Sequence, residues 1–314
     1  MKSALIIGIS GFVGGYLSEE LIRNGIEVYG ADIKELNISN KTIFRKIDLL
    51  DKDSVLQVLN EVRPDYIVNL AAISSVRISW DMPDVTFDVN VKGVINLFEV
   101  IKKINLKPKV LLVGSSEQYG KINGMDRIAE DYPLSALNPY GISKITQERL
   151  ALMYKECYGI DVVLVRAFNH TGPKQGLGFV IPDFSKQIAE IEVLNKEPII
   201  YVGNLKAERD ISDVRDIVKG YYALLMKGKS GEIYNIGSGN AYSMEYLVKK
   251  LIKYSNREVE IEIDPKKFRP IDTPKITSDI NKIIRDTGWK PEIKIEKTLF
   301  DTYYYWKDIL NNKI

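Results

Sequence analysis

Three hundred and fourteen residues and 35.7 kDa predict about two domains, at roughly 150 residues each. Forty-four Lys and Arg against 42 Asp and Glu leave a net charge of +2. That balance excludes an electrostatic nucleic-acid binder, because tracking phosphates takes a basic excess on one face.

With 45% hydrophobic and 27% charged residues the chain reads as globular rather than disordered. Its one cysteine, Cys157, leaves no internal disulfide and suits a reducing compartment. No apolar run approaches the ~20 residues of a membrane helix. Met1–Ile7 starts apolar, but Gly8, Gly11, Gly14 and Gly15 follow at once and no small-residue cleavage site closes the run. A signal peptide is therefore not expected, and a cytoplasmic location is.

In chain order, Ala4–Ile7, Glu27–Ala31, Ile43–Ile47, Tyr66–Leu70, Val110–Val113 and Val162–Val165 read as strands. Between them Phe12–Asn24, Ser54–Val62, Val85–Ile104 and Pro139–Tyr158 repeat apolar residues at three-and-four spacing, as one-faced helices do. Alternating βα units predict an α/β fold with a doubly wound parallel sheet, and strands as apolar as Ala4-Leu5-Ile6-Ile7 predict burial on both faces. After Phe168 the rhythm breaks at Gly172, Pro173, Gly176 and Gly178. A helix over about 182–195 follows, Val214–Met226 resumes the βα texture, and a strand at Ile233–Ile236 and tail helices over Met244–Tyr254, Ile280–Asp286 and Ile295–Ile309 come after. No repeat or linker separates the halves. The expected division is 1–168 plus about 210–236 for one domain, and about 169–209 plus 237–314 for a smaller domain interleaved with it.

Gly8-Ile9-Ser10-Gly11-Phe12-Val13-Gly14 lies between the first strand and the first helix. Positions without side chains let a backbone approach a pyrophosphate, and a helix N-terminus offers free N–H groups and a positive dipole end. Asp32 ends the second strand 18 residues after Gly14, near the ~20 expected of an acid that binds a ribose. A carboxylate there accepts the 2′- and 3′-hydroxyls of NAD and repels the extra phosphate of NADP, so NAD is favoured over NADP. Asp48, just before Leu49, is a candidate for the adenine amino group.

Asn138-Pro139-Tyr140-Gly141-Ile142-Ser143-Lys144 opens a helix, with Asn138 as N-cap and Pro139 in the first turn. Tyr140 and Lys144 are i and i+4 and share a face. A tyrosine with a pKa of about 10 is a poor acid–base group near neutrality. A nearby ammonium and a positive nicotinamide ring would favour the phenolate and bring the pKa down. The end of the fifth strand, Val113-Gly114-Ser115-Ser116-Glu117-Gln118, carries polar residues where such sheets bind ligands. Ser115 could hold a hydroxyl or carbonyl beside Tyr140, and Glu117 could be an acid–base group or a plain loop carboxylate.

Gly8-x-x-Gly11-x-x-Gly14, Asn69-Leu70-Ala71-Ala72, Asp88-Val89-Asn90-Val91, Ser115-Ser116 and Tyr140-x-x-x-Lys144, with Thr287-Gly288-Trp289-Lys290-Pro291 near the end, together resemble the extended short-chain dehydrogenase/reductases of nucleotide sugars. The resemblance covers essentially the whole chain. It implies a Rossmann-type NAD-binding domain with a smaller nucleotide-sugar-binding domain, and a Ser–Tyr–Lys triad in which Tyr140 exchanges the C4-hydroxyl proton while Lys144 also holds the nicotinamide ribose. Cofactor contacts are implied for Gly8, Gly11, Phe12, Val13, Gly14, Asp32, Ile33, Asp48, Leu49, Leu70, Ala71, Ala72, Asn90, Tyr140, Lys144 and Ala167.

Arg166-Ala167-Phe168-Asn169-His170-Thr171-Gly172-Pro173 and Gly176-Leu177-Gly178-Phe179-Val180 are similar to the branch that reduces GDP-4-keto-6-deoxymannose. Val202-Gly203-Asn204-Leu205-Lys206-Ala207-Glu208-Arg209-Asp210 is similar to a stretch shared with GDP-mannose 4,6-dehydratases. Substrate contacts are implied for Ser75, Ser116, Asn169, Val180, Asn204, Arg209 and Arg269, the two arginines gripping a diphosphate with their forked guanidinium groups. His170, the only histidine, reads as structural, and no metal ligand set is assigned.

The expected activity is hydride transfer at C4 of a GDP-linked sugar, as a reductase or in the reverse, 4-dehydrogenase direction. The alternative is a 4,6-dehydratase with retained NAD, in which Glu117 removes the C5 proton. Asp32 and Ser115-Ser116-Glu117 lean toward the alternative, length and the Thr171–Val180 stretch toward the reductase. A non-enzymatic dinucleotide sensor is the remote third reading, since such proteins commonly lose the Tyr or Lys. Val85–Ile104 and Pro139–Tyr158 are the helices this family packs between subunits, so the resemblance implies a homodimer or higher homo-oligomer.

Overall fold

The structure is a computed structural model and describes residues 1–36, 38–122, 127–268 and 273–312. In chain order these form β1 (Ser3–Ile7), α1 (Phe12–Arg23), β2 (Glu27–Asp32), β3 (Ile43–Lys46), α2 (Lys52–Val62), β4 (Tyr66–Asn69), α3 (Val76–Asp81), α4 (Pro83–Phe87), α5 (Gly93–Lys103) and β5 (Lys109–Val113). Then come α6 (Pro139–Tyr158), β6 (Val162–Ala167), β7 (Asn169–Thr171), α7 (Val180–Leu194), β8 (Ile199–Val202), β9 (Glu208–Asp213) and α8 (Val214–Lys227). The tail holds β10 (Ile233–Ile236), β11 (Ala241–Ser243), α9 (Met244–Ile252), β12 (Glu260–Ile263), β13 (Lys275–Ile276), α10 (Asn281–Thr287) and α11 (Ile295–Asn311).

Seven parallel strands make the main sheet in the order β10-β6-β5-β4-β1-β2-β3. One face is covered by α1, α8 and α10 through Leu17, Leu21, Val214, Ile217, Leu224 and Ile283. The other is covered by α2, α5 and α6 through Val55, Leu59, Leu97, Phe98, Ile101 and Ala151. This is the doubly wound sheet that the βα alternation predicts. Chain order reverses between β1 and β4, which opens a crevice at their carboxyl ends where ligands of such sheets bind.

A separate apolar core joins α7, α9 and α11 with β8 through Ile188, Ile200, Leu247, Leu251, Leu299 and Tyr303. Beside it β9 pairs with β7, β11 and β13. The chain crosses from the main sheet to this small one within Ala167-Phe168-Asn169, so both sheets meet next to the end of β5.

The structure departs from the helix expected over 85–104. Its axis is interrupted by a π turn at Asp88–Lys92, where bonds run i to i+5, between α4 and α5. The short α3 and the strands β7, β8, β9, β11, β12 and β13 were not read from the sequence. β9 hides because its sequence, Glu-Arg-Asp-Ile-Ser-Asp, is polar, yet Asp210 to Asp213 are all buried. Asp210 is held there by the N–H and hydroxyl groups of Ser238 and Ser278 and the N–H of Gly239. No described helix is long and apolar enough to cross a membrane.

Candidate active site

The glycine loop closes over the switch point. Gly8 has φ +88°, and a Cβ there would stand 2.7 Å from the backbone N of Ala71, so β1 and the Leu70–Ala71 segment after β4 touch backbone to backbone. A Cβ on Gly14 would stand 2.3 Å from the carbonyl oxygen of Ile9. Gly11 is the N-cap of α1 and offers no side-chain cap, so no cap side chain engages the first-turn N–H groups of Phe12, Val13 and Gly14. Asp32 Oδ2 accepts the Ser10 N–H at 3.1 Å and Oδ1 the Ile33 N–H at 2.8 Å, which ties the strand-end carboxylate to the loop. Close backbone, open N–H groups and an adjacent acid fit the diphosphate and ribose of a dinucleotide.

The other predicted cofactor positions divide. Ala71, Ala72 and Ala167 line the strand ends, and Ile33 is exposed beside Asp32. Asp48 lies two residues beyond β3, exposed, accepting the Leu50 N–H, with Leu49 buried behind it. Asn90, assigned to the cofactor from the sequence, is fully buried in the π turn instead. Its amide exchanges hydrogen bonds with the N–H and carbonyl of Ile73 and donates to Ser143 Oγ at 2.9 Å, so it joins the loop after β4 to α6.

Helix α6 begins where expected because Asn138 Oδ1 caps the Gly141 N–H at 2.7 Å and Pro139 needs no partner. Tyr140 and Lys144 are 8% and 4% exposed and share the face turned to β5. Lys144 Nζ donates to Val113 O at 2.9 Å and Gln147 Oε1 at 3.2 Å, and Gln147 Nε2 donates to the same Val113 oxygen. Burial pushes the ammonium down to about 7. Burial holds the Tyr140 phenol up at about 12, with the Ser115 side chain pulling it back down and the Glu117 charge raising it further. The depressed phenol expected from the Tyr–Lys spacing is thus not a property of the chain by itself: Lys144 Nζ sits 5.8 Å from the ring centroid, and desolvation outweighs it.

Ser115 Oγ accepts the Glu117 N–H at 3.2 Å, which leaves its own O–H for another acceptor. Glu117 Oε2 accepts from Asn138 Nδ2 at 2.9 Å. A Cβ on Gly141 would meet the Glu117 carbonyl at 2.7 Å, so glycine allows the turn to lie on the helix start. A cleft beyond is lined by Ser116, Glu117, Phe168, Asn169, Arg209, Asp210 and Ile276. Arg209 Nη1 donates to the carbonyls of Glu208 and Thr273.

Of the remaining substrate candidates, Ser75 caps α3, Val180 starts α7, and Asn204 Oδ1 accepts the Lys206 N–H. Arg269 lies outside the described residues. His170 stacks on Phe12 with centroids 6.3 Å apart, and its Nδ1 meets Phe168 O, a packing role that burial reinforces by lowering its pKa. Gln118, Gln147 and Glu148 were not singled out in the sequence, although Gln147 and Glu148 stand at i+3 and i+4 from Lys144 on the same face.

The sequence profile of the GDP-mannose 4,6 dehydratase family matches residues 5–302. GDP-6-deoxy-D-mannose reductase of Pseudomonas aeruginosa is 30% identical over 295 residues, covering 94% of this chain and 93% of that protein. Human GDP-mannose 4,6 dehydratase is 28% identical over 331 residues, covering 94% and 88%. The structure of RMD from Pseudomonas aeruginosa complexed with NADPH matches with a TM-score of 0.87 at 29% identity, over 98% of this chain and 100% of that one. UDP-glucose 4-epimerase of Thermus thermophilus in complex with NAD gives 0.87 at 25%, over 97% and 99%. The chain therefore belongs to the GDP-mannose 4,6-dehydratase family, among the extended short-chain dehydrogenase/reductases of nucleotide sugars.

Proposed function

We propose that this protein is an NAD(H)-dependent oxidoreductase acting at C4 of a GDP-linked sugar, most like the reductases of GDP-4-keto-6-deoxymannose. The observation that carries the reading is the convergence of Ser115, Tyr140 and Lys144 at the end of β5, beneath a cleft edged by Glu117, Asn169 and Arg209. The nicotinamide, when bound, supplies or accepts the hydride. Tyr140 gives its phenolic proton to the C4 oxygen or takes it back, and the buried Lys144 sets the charge around it. Ser115, a hydrogen-bond partner of Tyr140, directs its O–H to the same oxygen. Arg209, with Arg269 as its partner from the sequence, grips the diphosphate. Asp32 at the ribose supports NAD, whereas the reductase relative is described with NADPH.

A second reading is favoured by the Asn138–Glu117 hydrogen bond. It holds a carboxylate at the cleft, where a 4,6-dehydratase needs a base for the C5 proton and an acid for the departing C6 hydroxyl.

The deciding experiment denatures the purified protein, identifies any released nucleotide, and then supplies GDP-mannose without added cofactor. Retained NAD and a 4-keto-6-deoxy product mean dehydratase, and Glu117→Gln should then abolish turnover. A protein isolated without nucleotide that oxidises added NADH with GDP-4-keto-6-deoxymannose is the reductase. No hydride transfer with any GDP-hexose or 4-keto-GDP-sugar would overturn both readings. Tyr140→Phe should lower turnover by about 10²–10⁴-fold while leaving cofactor binding intact, which separates an enzyme from a sensor.

The interleaved two-domain division and a homodimer are part of the same proposal. Exposed Ile142 and Met153 on one stripe of α6, with Trp80 of α3, Phe87 of α4 and Met82 between them beside it, support α6 as the subunit contact. Ile142→Glu should shift the dimer to monomer in light scattering. An unchanged mass would relocate the interface.

A further inference from the structure

We propose that Gln118 is a positioning residue that fixes Ser115 against Tyr140, anchored by the buried Glu148–Arg166 pair. The proposal rests on the reading of Ser115, Tyr140 and Lys144 as the catalytic set. Gln118 is fully buried and uses both ends of its amide. Its Oε1 accepts the Ser115 N–H at 2.8 Å and its Nε2 donates to Glu148 Oε2 at 2.9 Å.

Glu148 is on α6, four residues beyond Lys144 and eight beyond Tyr140. The backbone of Ser115 is therefore tied through one planar group to the helix that carries its two partners. Gly114 makes room for this strut, since a Cβ there would stand 2.3 Å from Gln118 Oε1.

The far end of the strut does not swing. Arg166, on β6, holds Glu148 with two parallel bonds, Nε to Oε2 at 2.9 Å and Nη2 to Oε1 at 2.8 Å. Arg166 and Glu148 are 3% and 4% exposed. Arg166 Nη1 also donates to Tyr119 Oη and the Glu130 carbonyl, and Tyr119 Oη donates to Asn235 Oδ1 at 2.6 Å. Two consecutive residues of the Ser115 turn are thus gripped from behind. A buried ion pair is weak evidence of stability, because desolvation offsets the attraction. Holding a reacting hydroxyl at a set distance gives this one a purpose. The groups facing Gln118 are Glu148 from α6 and Arg166 from β6, with Tyr119 and Glu130 beyond the guanidinium.

The test compares two variants of nearly the same shape in the full-length protein. Gln118→Met removes both bonds. It should lower kcat with NADH and GDP-4-keto-6-deoxymannose by about 10–100-fold, the usual cost of an ångström-scale misplacement, with KM nearly unchanged. Gln118→Glu keeps the acceptor for Ser115 but sets a carboxylate against Glu148. Once protonated it again accepts from Ser115 and donates to Glu148, so its kcat should recover as pH falls while that of Gln118→Met does not. A role in stability alone would lower the unfolding midpoint in both variants without this split pH profile, and that outcome overturns the proposal.

An activity-independent arm uses [13Cζ]tyrosine labelling, with the Tyr140 signal assigned by Tyr140→Phe. Gln118→Met should move that signal in the direction that Ser115→Ala moves it. If the wild type fails to turn over the sugar, the functional reading falls and this signal alone decides the strut. An unmoved signal overturns it.

Discussion

Lys144 Nζ sits 2.9 Å from the carbonyl oxygen of Val113, sealed in the joint between α6 and the last residue of β5. With its pKa near 7 against an ordinary 10.5, the folded chain binds one proton fewer here than the unfolded chain between those values. Stability therefore rises with pH across that window, by about 1.4 kcal/mol per unit at most, and the gain is absent below pH 7. Tyr140 acts in the opposite direction. Its phenol, held near 12 against 10, keeps its proton in the folded chain after the unfolded chain has lost it, so stability falls from pH 10 to 12. Urea unfolding from pH 6 to 10 should show the rise in wild type and a flatter profile in Lys144→Met. Parallel profiles would remove the buried-lysine reading.

Asn138 does two jobs with one amide, capping α6 through Oδ1 and donating to Glu117 through Nδ2. Substitutions separate them. Asn138→Ala should cost about 1 kcal/mol from the lost cap, while Asn138→Ser and Asn138→Asp keep a capping oxygen. Asn138→Ala and Asn138→Asp lose the donor to Glu117, and Asn138→Asp adds a like charge beside it, while Asn138→Ser keeps only a shorter hydroxyl. Turnover that depends on Glu117 should fall in every variant, whereas the unfolding midpoint should fall clearly only in Asn138→Ala. Full activity in Asn138→Ala would show that Glu117 needs no such partner.

Asp32 governs the choice of cofactor in this reading. Asp32→Ala removes the carboxylate that repels a 2′-phosphate, so the ratio of kcat/KM for NADPH over NADH should rise at least about tenfold, or roughly 1.4 kcal/mol. A wild type that already prefers NADPH would refute the assignment before the variant is made.

Adjacent glycines at the start of α1 should respond in opposite ways. A Cβ on Gly14 meets the Ile9 backbone at 2.3 Å, so Gly14→Ala should destabilise by about 1–3 kcal/mol and weaken cofactor binding. Nothing lies within 4 Å of a Cβ on Gly15, so Gly15→Ala should stabilise the helix by about 0.5–1 kcal/mol. Thermal melts of the two variants decide this directly.

The main sheet was legible because its strands are short apolar runs punctuated by one-faced helices. α6 was legible to the residue, with Asn138-Pro139 opening it and Gly159, at φ +66°, closing it. The small sheet was not, because β9 buries its acids by supplying each with donors from Ser238, Ser278 or Arg215, residues far away or beyond the strand's own pattern. That Tyr140 and Lys144 share one face was legible from their spacing, but the direction of the tyrosine shift in the chain by itself was not, since a spacing carries no information about how much water the fold removes. Gln118 escaped notice for a similar reason. Its partners, Ser115 and Glu148, are three and thirty residues away, and only folding makes them neighbours.

The π turn at Asp88–Lys92 has a consequence for length changes in this region. An α-helix advances about 100° per residue, and the wider π turn takes up one surplus residue while leaving α5 in the phase of an uninterrupted helix. Deleting Val89 would let α4 run into α5 as one ordinary helix with Val94, Leu97, Phe98 and Ile101 still turned to the core, but it would remove the widened turn that sets Asn90 against Ile73 and Ser143. Chains that share this architecture should thus vary in length almost anywhere on the surface before they lose a residue here.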